Sequence, residues 1–233
     1  MGRDITISAL DGSGPFSAYL AEPASGTGPG IVVIQEIFGV NADVRSKCDA
    51  WAAKGYVALA PDLFWRQEPG VQLTDQTEAE WAKAFELYKG FDVDKGVEDL
   101  TATIAALRHQ PNCTGKVGTV GYCLGGLLAY LLATRSNADA NVGYYGVGID
   151  GKLNESHAIA KPLMLHIAQE DKFVDKDAQA AIHAELGKNH HVTLHDYAGQ
   201  EHAFSRAGGQ HYDKASADLA NQRTEAFFAG HLR

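Results

Sequence analysis

Residues 116–134, KVGTVGYCLGGLLAYLLAT, place three local structures in direct succession: a β-branched run, a glycine-rich turn, and an apolar Ala/Leu segment. Valine-rich runs bounded by glycine read as buried strand, and unbranched apolar residues favour helix. The pattern predicts a strand over 116–122 feeding without a linker into a helix over 124–134. Only a layered α/β fold accommodates a buried strand that turns at once into a buried helix. The turn itself, Gly121-Tyr122-Cys123-Leu124-Gly125, sets glycines two before and two after its centre. This is the spacing of a nucleophile elbow, in which the central residue is strained and side chains at the flanking positions would meet backbone. Cysteine stands where serine is usual, so these five residues alone leave a nucleophile, a redox thiol and a small packed residue as open readings.

The rest of the chain repeats the alternation. Residues 5–10 and 16–21 have half-buried strand patterns separated by Asp11-Gly12, a hairpin signal. After a Gly/Pro-rich linker at 23–30, "IVVIQ" reads as a strand buried on both faces. Then come a helix at 42–54, a strand at 57–60 stopped by Pro61-Asp62, and an insertion with helices at 77–89 and 94–109, the second capped by Asp94. Strands at 141–145, 162–168 and 191–197, a helix at 176–186 and a closing amphipathic helix at 215–231 complete the order. The expectation is one α/β domain of 233 residues, with a mostly parallel central sheet of about eight strands and helices on both faces. Ligands of such sheets bind beyond the carboxyl ends of the strands.

Charge and composition narrow the function classes. A formal charge of −9 gives no general attraction to phosphate backbones or anionic lipid, so no nucleic-acid partner is expected. No run approaches the ~18 apolar residues of a membrane span, and the first ten residues, MGRDITISAL, lack the apolar stretch of a secretory leader. Cys48, Cys113 and Cys123 are odd in number with no C-x-x-C spacing, which predicts reduced thiols and a cytoplasmic location. His183, His190, His191 and His195 lack the pairing of a zinc site, so neither metal nor cofactor is expected.

A nucleophilic cysteine needs a base, and the base needs an orienting carboxylate. Both follow at later strand ends: Gln169-Glu170-Asp171-Lys172 after "PLMLHIA", and Gly199-Gln200-Glu201-His202-Ala203-Phe204 after "HVTLHDY". The chain order nucleophile, acid, histidine is that of α/β-hydrolases. His202 is the candidate base because it lies in the loop after the last strand. Asp171 is preferred to Glu170 and Asp175 for its place at the loop's start and its short, stiff side chain. The helix that begins after Cys123 directs its positive end at the thiol, favouring a thiolate and a developing oxyanion.

The segments "QEIFGVN", "GYVALAPDLF", "GKVGTVGYCLGG", "VGYYGVG" and "GQEHAFSR" together resemble the dienelactone hydrolase family, the carboxymethylenebutenolidases of chlorocatechol degradation. That resemblance implies an α/β-hydrolase fold and a Cys123–His202–Asp171 triad hydrolysing an enol lactone of a dicarboxylic acid. It implies that Glu36 bonds the resting thiol, that the amides of Ile37 and Leu124 form an oxyanion hole, that Arg206 binds a substrate carboxylate and that Tyr144 lines the site. The family's second carboxylate-binding arginine is matched here by Trp81, and losing one such hydrogen bond is worth about 1.5 to 3 kcal/mol.

The expected function is therefore hydrolysis of an activated ester or lactone, dienelactone to maleylacetate, through an acyl-enzyme in a monomeric cytoplasmic esterase. The alternatives are an esterase of the same fold acting on another small ester, and a redox or non-catalytic thiol protein.

Overall fold

The computed structural model describes residues 2–233, which divide into two compact units, one ending at Val117 and one from Gly118 to Arg233.

In the first unit, β1 (Arg3–Ser8) and β2 (Pro15–Ala21) form the expected antiparallel hairpin, with Ile5 opposite Ala18. β2 runs antiparallel to β4 (Val57–Pro61), and β4 runs parallel to β3 (Gly28–Ile34), giving the order β1-β2-β4-β3. Every residue of β3 and β4 is buried, which is why their sequences are apolar runs and not alternating patterns. Helices α1 (Ala42–Ala53) and α3 (Val93–Arg108) pack on these strands. α2 (Glu78–Lys89) starts at Thr77, whose Oγ1 accepts from the Glu80 amide at 3.2 Å. The cap of α3 corrects the sequence reading. Asp92, not Asp94, lies outside the helix with extended backbone, and its Oδ1 accepts from the amides of Asp94 and Lys95 at 3.0 and 3.1 Å.

β5 (Cys113–Tyr122) opens in the first unit and enters the second. There it continues in parallel order with β6 (Ala140–Tyr144), β7 (Leu163–Ala168) and β8 (Val192–Tyr197). Val120, Val142, Met164 and Thr193 form one row across the four strands. Two faces follow from the period of two. A side chain at Gly118 would meet Phe228 and Leu232 of α6 (Lys214–Leu232), whereas one at Gly143 would meet the Gly126 carbonyl of α4 (Leu124–Arg135). Gly118 pairs with Ala140, so Gly118 and Gly143 lie on opposite faces, and helices cover both sides of these strands. α4 is buried all round through Ala133, as its unbroken apolar sequence requires. Between β6 and β7 lies a 3₁₀ stretch, Asp150–Ala158, and α5 (Lys176–Leu186) precedes β8. Among the described residues no helix is long and apolar enough to cross a membrane.

Candidate active site

β5 ends at Tyr122, and the chain turns through Cys123 at φ 56°, ψ −114° before α4 begins at Leu124. Such a conformation costs a non-glycine residue on the order of 1–3 kcal/mol. Surrounding backbone holds it. The Cys123 amide donates to the Tyr144 carbonyl at 3.1 Å, and the Cys123 carbonyl accepts from the amides of Gly126 at 2.9 Å and Leu127 at 3.3 Å. A β-carbon on Gly121 would stand 1.9 Å from the Gly125 carbonyl oxygen, and one on Gly126 would stand 2.7 Å from that of Tyr144. Glycine is thus dictated by contact on both sides of the cysteine. Cys123 keeps partial exposure, while Leu124 is fully buried and its amide belongs to the first turn of α4, where N–H groups have no intrahelical acceptor.

Asp171 lies in the loop after β7 and His202 in the loop after β8, and both are buried. His202 Nδ1 is 2.7 Å from Asp171 Oδ2, and Asp171 Oδ1 accepts from the Phe173 amide at 2.8 Å. Both carboxylate oxygens are therefore fixed, and the carboxylate orients the ring. On its other side His202 hydrogen-bonds Cys123. Burial alone would depress this imidazole, yet the negative charge of Cys123 and the bonds to Asp171 and Cys123 push it up to about 10. At neutral pH the ring is therefore protonated. Tyr145 and Phe173 meet it edge to face, with ring centroids 5.0 and 4.9 Å away.

Among the described residues three non-glycine residues have positive φ, namely Cys123, Tyr145 and Ala203. One is the elbow residue, one packs on the imidazole and one follows it in sequence. Tyr145 and Phe173 were not anticipated from sequence. Their one visible signal is position: Tyr145 follows β6, and Phe173 lies two residues beyond Asp171.

The other expected site residues fall as follows. Tyr144 is fully buried, and its hydroxyl reaches Thr224 Oγ1 at 2.7 Å and Asn221 Oδ1 at 3.1 Å on α6. Its link to the elbow is its backbone carbonyl. Arg206 is half-buried in the loop after His202, its amide donating to the Ala203 carbonyl at 2.9 Å. Glu36, Ile37 and Trp81 belong to the first unit. Glu36 and Ile37 are buried just beyond β3, and the Glu36 carbonyl accepts from Gln35 Nε2 at 3.3 Å. On α2 the Trp81 indole donates to the Asp75 carbonyl at 3.0 Å, meets Phe38 edge to face and stacks on Phe85. Among the described residues no three His, Cys, Asp or Glu side chains gather as a metal site would require.

Comparison with known proteins gives a consistent result. Residues 16–232 match the profile of the "Dienelactone hydrolase family". A protein of Azospirillum brasilense, provisionally named a carboxymethylenebutenolidase, is 50% identical, the match covering 98% of this chain and 99% of that protein. The carboxymethylenebutenolidase of Pseudomonas putida is 41% identical over 97% of this chain and 95% of its own length. Among solved structures, a provisionally named dienelactone hydrolase of Klebsiella pneumoniae superposes with a TM-score of 0.85 at 25% identity, over 99% of each chain.

Proposed function

The chain belongs to the dienelactone hydrolase family and is a hydrolase of ester bonds, and from that premise we propose that Cys123, His202 and Asp171 carry the reaction on a small activated ester or lactone. The observation that carries the reading is the continuous hydrogen-bond chain from Cys123 through His202 to Asp171, mounted on a strained elbow.

In the proposed reaction the Cys123 sulfur, as thiolate beside the His202 imidazolium, attacks the carbonyl carbon. The carbon–sulfur bond forms as the carbonyl π pair moves onto oxygen, and the Leu124 amide at the head of α4 donates to that oxyanion. The oxyanion collapses, the carbon–oxygen bond to the leaving group breaks, and the imidazolium supplies the proton the departing oxygen needs. Asp171 holds Nδ1 throughout, so the ring presents Nε2 to the sulfur and the leaving group. A water molecule, losing its proton to the now neutral His202, attacks the thioester and releases the acid and the thiolate. A good leaving group, such as an enolate, suits this sequence because no strong base assists acylation.

For the substrate we favour dienelactone, opened to maleylacetate as a step of chlorocatechol degradation, by a monomer in the cytoplasm. The relatives' name supports a butenolide lactone as substrate, and Arg206, a guanidinium suited to a carboxylate on a chain of net charge −9, supports its acid group. The roles implied for Glu36, Ile37 and Trp81 rest on the resemblance. A second reading, an uncharged ester as substrate, is favoured by the packing of Trp81 on Phe38 and Phe85, an aromatic surface where the family carries a cation.

Steady-state kinetics on cis- and trans-dienelactone and on 4-nitrophenyl acetate test both readings, with Cys123→Ala as control. The first expects a preference for a dienelactone, loss of activity in Cys123→Ala, and a thioester adduct of the wild-type enzyme by mass spectrometry. Preference for the acetate selects the second, and full activity of Cys123→Ala removes both.

A further inference from the structure

Behind the site the second unit buries a polar network with no place in the reaction above. His166, on β7, is fully buried, with Nδ1 2.8 Å from the Tyr197 hydroxyl and Nε2 2.9 Å from Thr224 Oγ1. Arg223 Nη1 donates to the same Tyr197 hydroxyl at 3.2 Å, and its guanidinium lies over the Tyr197 ring, 5.5 Å from the centroid. Thr224 Oγ1 donates to the Ala220 carbonyl one helical turn back, at 3.0 Å.

These contacts have a direction that can be assigned from the network. Arginine has donors and no acceptor, so the Tyr197 oxygen must accept from Arg223 and its own proton is available to His166. His166 Nδ1 then accepts, and the single proton of the neutral ring sits on Nε2, where it donates to Thr224. Thr224 passes its proton to Ala220. The order Arg223→Tyr197→His166→Thr224 thus runs one way, and at its end Thr224 Oγ1 also meets the Tyr144 hydroxyl at 2.7 Å. Such a buried network fixes the groups that compose it, because any rotation leaves a polar atom without a partner.

Tyr197 is the member of that chain that also holds the site. It is the last residue of β8, paired in register with Ala168 at the end of β7. Its carbonyl accepts two amides, that of Gln169 at 3.1 Å and that of Gln200 at 3.2 Å, and the Gln200 carbonyl in turn accepts from Glu170 at 2.8 Å. Gln169 and Glu170 lead into Asp171, and Gln200 leads into His202. Beyond His202 the chain returns to the same residue: the Phe204 ring lies 4.7 Å from that of Tyr197. One side chain and its carbonyl therefore touch the approach to Asp171, the approach to His202 and the exit from it.

We propose that Tyr197 is a positioning residue for the Asp171–His202 pair, its ring and carbonyl setting the separation of the two loops and its hydroxyl locked by His166 and Arg223. The inference rests on the reading of His202 and Asp171 as catalytic. Tyr197→Phe keeps the ring on Phe204 and removes the lock. A loop free to drift by a fraction of an ångström lowers the fraction of enzyme with His202 aligned, an effect on turnover and not on binding.

The test uses 4-nitrophenyl acetate and proton NMR of the imidazole N–H that faces Asp171. In Tyr197→Phe, kcat falls roughly tenfold with KM within about twofold, and the low-field imidazole resonance shifts or broadens. Arg223→Met, a change at the half-exposed end of the chain, moves both readouts the same way by a smaller factor and keeps the test open should Tyr197→Phe fold poorly. Wild-type kcat and an unmoved resonance in both variants overturn the proposal, as does a lowered melting temperature with unchanged kinetics. His202→Ala separates the two levels. If it keeps full activity, the catalytic reading fails; if it is inactive while Tyr197→Phe and Arg223→Met behave as wild type, only the role of Tyr197 fails.

Discussion

His202 Nδ1 lies 2.7 Å from Asp171 Oδ2, and the second oxygen of that carboxylate is tied to the Phe173 amide. Neither group can turn without breaking a buried hydrogen bond. Asp171→Asn keeps the shape and removes the charge, and an amide facing Nδ1 favours the wrong tautomer. The expected loss in kcat is on the order of 10³-fold or more, the scale seen when an orienting aspartate becomes asparagine in other triads. Steady-state kinetics check it, and a loss below tenfold would show that Asp171 does not orient the base.

The pH profile carries the same relationship. Burial would lower His202, but its interactions with Cys123 and Asp171 raise it to about 10, so the imidazolium proposed to protonate the leaving group persists through neutral pH. Its loss places the alkaline limb of kcat/KM toward that value. Removing the Asp171 charge takes away part of the raise, so the limb of Asp171→Asn moves to lower pH. The residual activity of the variant, followed from pH 6 to 10.5, measures the displacement. A limb that stays in place or moves upward contradicts the assignment.

The elements that carry the site were legible because each is a run of one kind. β3 and β4 are apolar throughout, α4 is apolar throughout, and glycines mark the turn between β5 and α4. The α3 cap was misread because Asp92 and Asp94 flank a single valine, and only backbone geometry distinguishes them. The 3₁₀ stretch Asp150–Ala158 has no apolar period and is held by tertiary bonds, Tyr130 to the Lys152 carbonyl and Ser156 to Glu185. In the site, Cys123, Asp171 and His202 were visible as polar residues at strand ends. Tyr145 and Phe173 were not, because a ring packed on an imidazole leaves no local signature. Tyr144 could be placed on β6 but not assigned a face, and the register turns its hydroxyl toward α6.

The elbow predicts its own intolerance. A methyl group on Gly121 would stand 1.9 Å from the Gly125 carbonyl oxygen, backbone against backbone, with no flexible side chain to yield. Gly121→Ala is expected to cost about 3 kcal/mol, at the upper end for forced overpacking, and to move Cys123 off its line to His202. Thermal unfolding together with thiol alkylation rates reads both effects. An unchanged melting temperature would mean that the turn opens without cost.

Acid stability follows from His166. Burial, then the positive charges of His195 and Arg223, hold its pKa well below the ordinary imidazole value of 6.5. The folded ring stays neutral while the unfolded one binds a proton below pH 6.5, so stability is present above that pH and is lost as pH falls through it. The slope is about 1.4 kcal/mol per pH unit until the folded ring itself titrates. Urea unfolding of wild type and His166→Gln at pH 7.5, 6 and 5 isolates the term. The difference between the two proteins should shrink on acidification, and a constant difference would assign the acid loss to other groups.

In the first unit Asp99 ties separate elements together. It is almost fully buried on α3, and its carboxylate accepts from Trp65 Nε1 at 2.8 Å and from Arg66 at 2.9 and 2.7 Å. Arg66 also reaches Asp11 and Ser13 in the hairpin loop between β1 and β2, at 3.1 and 2.8 Å. One buried carboxylate thus pins α3, the segment after β4 and the opening hairpin together. Removing it leaves the indole N–H without its acceptor and the guanidinium with only Asp11 and Ser13, a loss of about 3 kcal/mol, the lower end for deleting one partner of a buried ion pair. Asp99→Ala should lower the denaturation midpoint strongly, and Asp99→Asn, which still accepts from the indole, should do so less. The kinetics of whatever remains folded should match wild type, since none of these groups belongs to the Cys123–His202–Asp171 chain. If instead the two substitutions destabilise equally, the indole bond contributes nothing and the ion pair to Arg66 carries the whole effect.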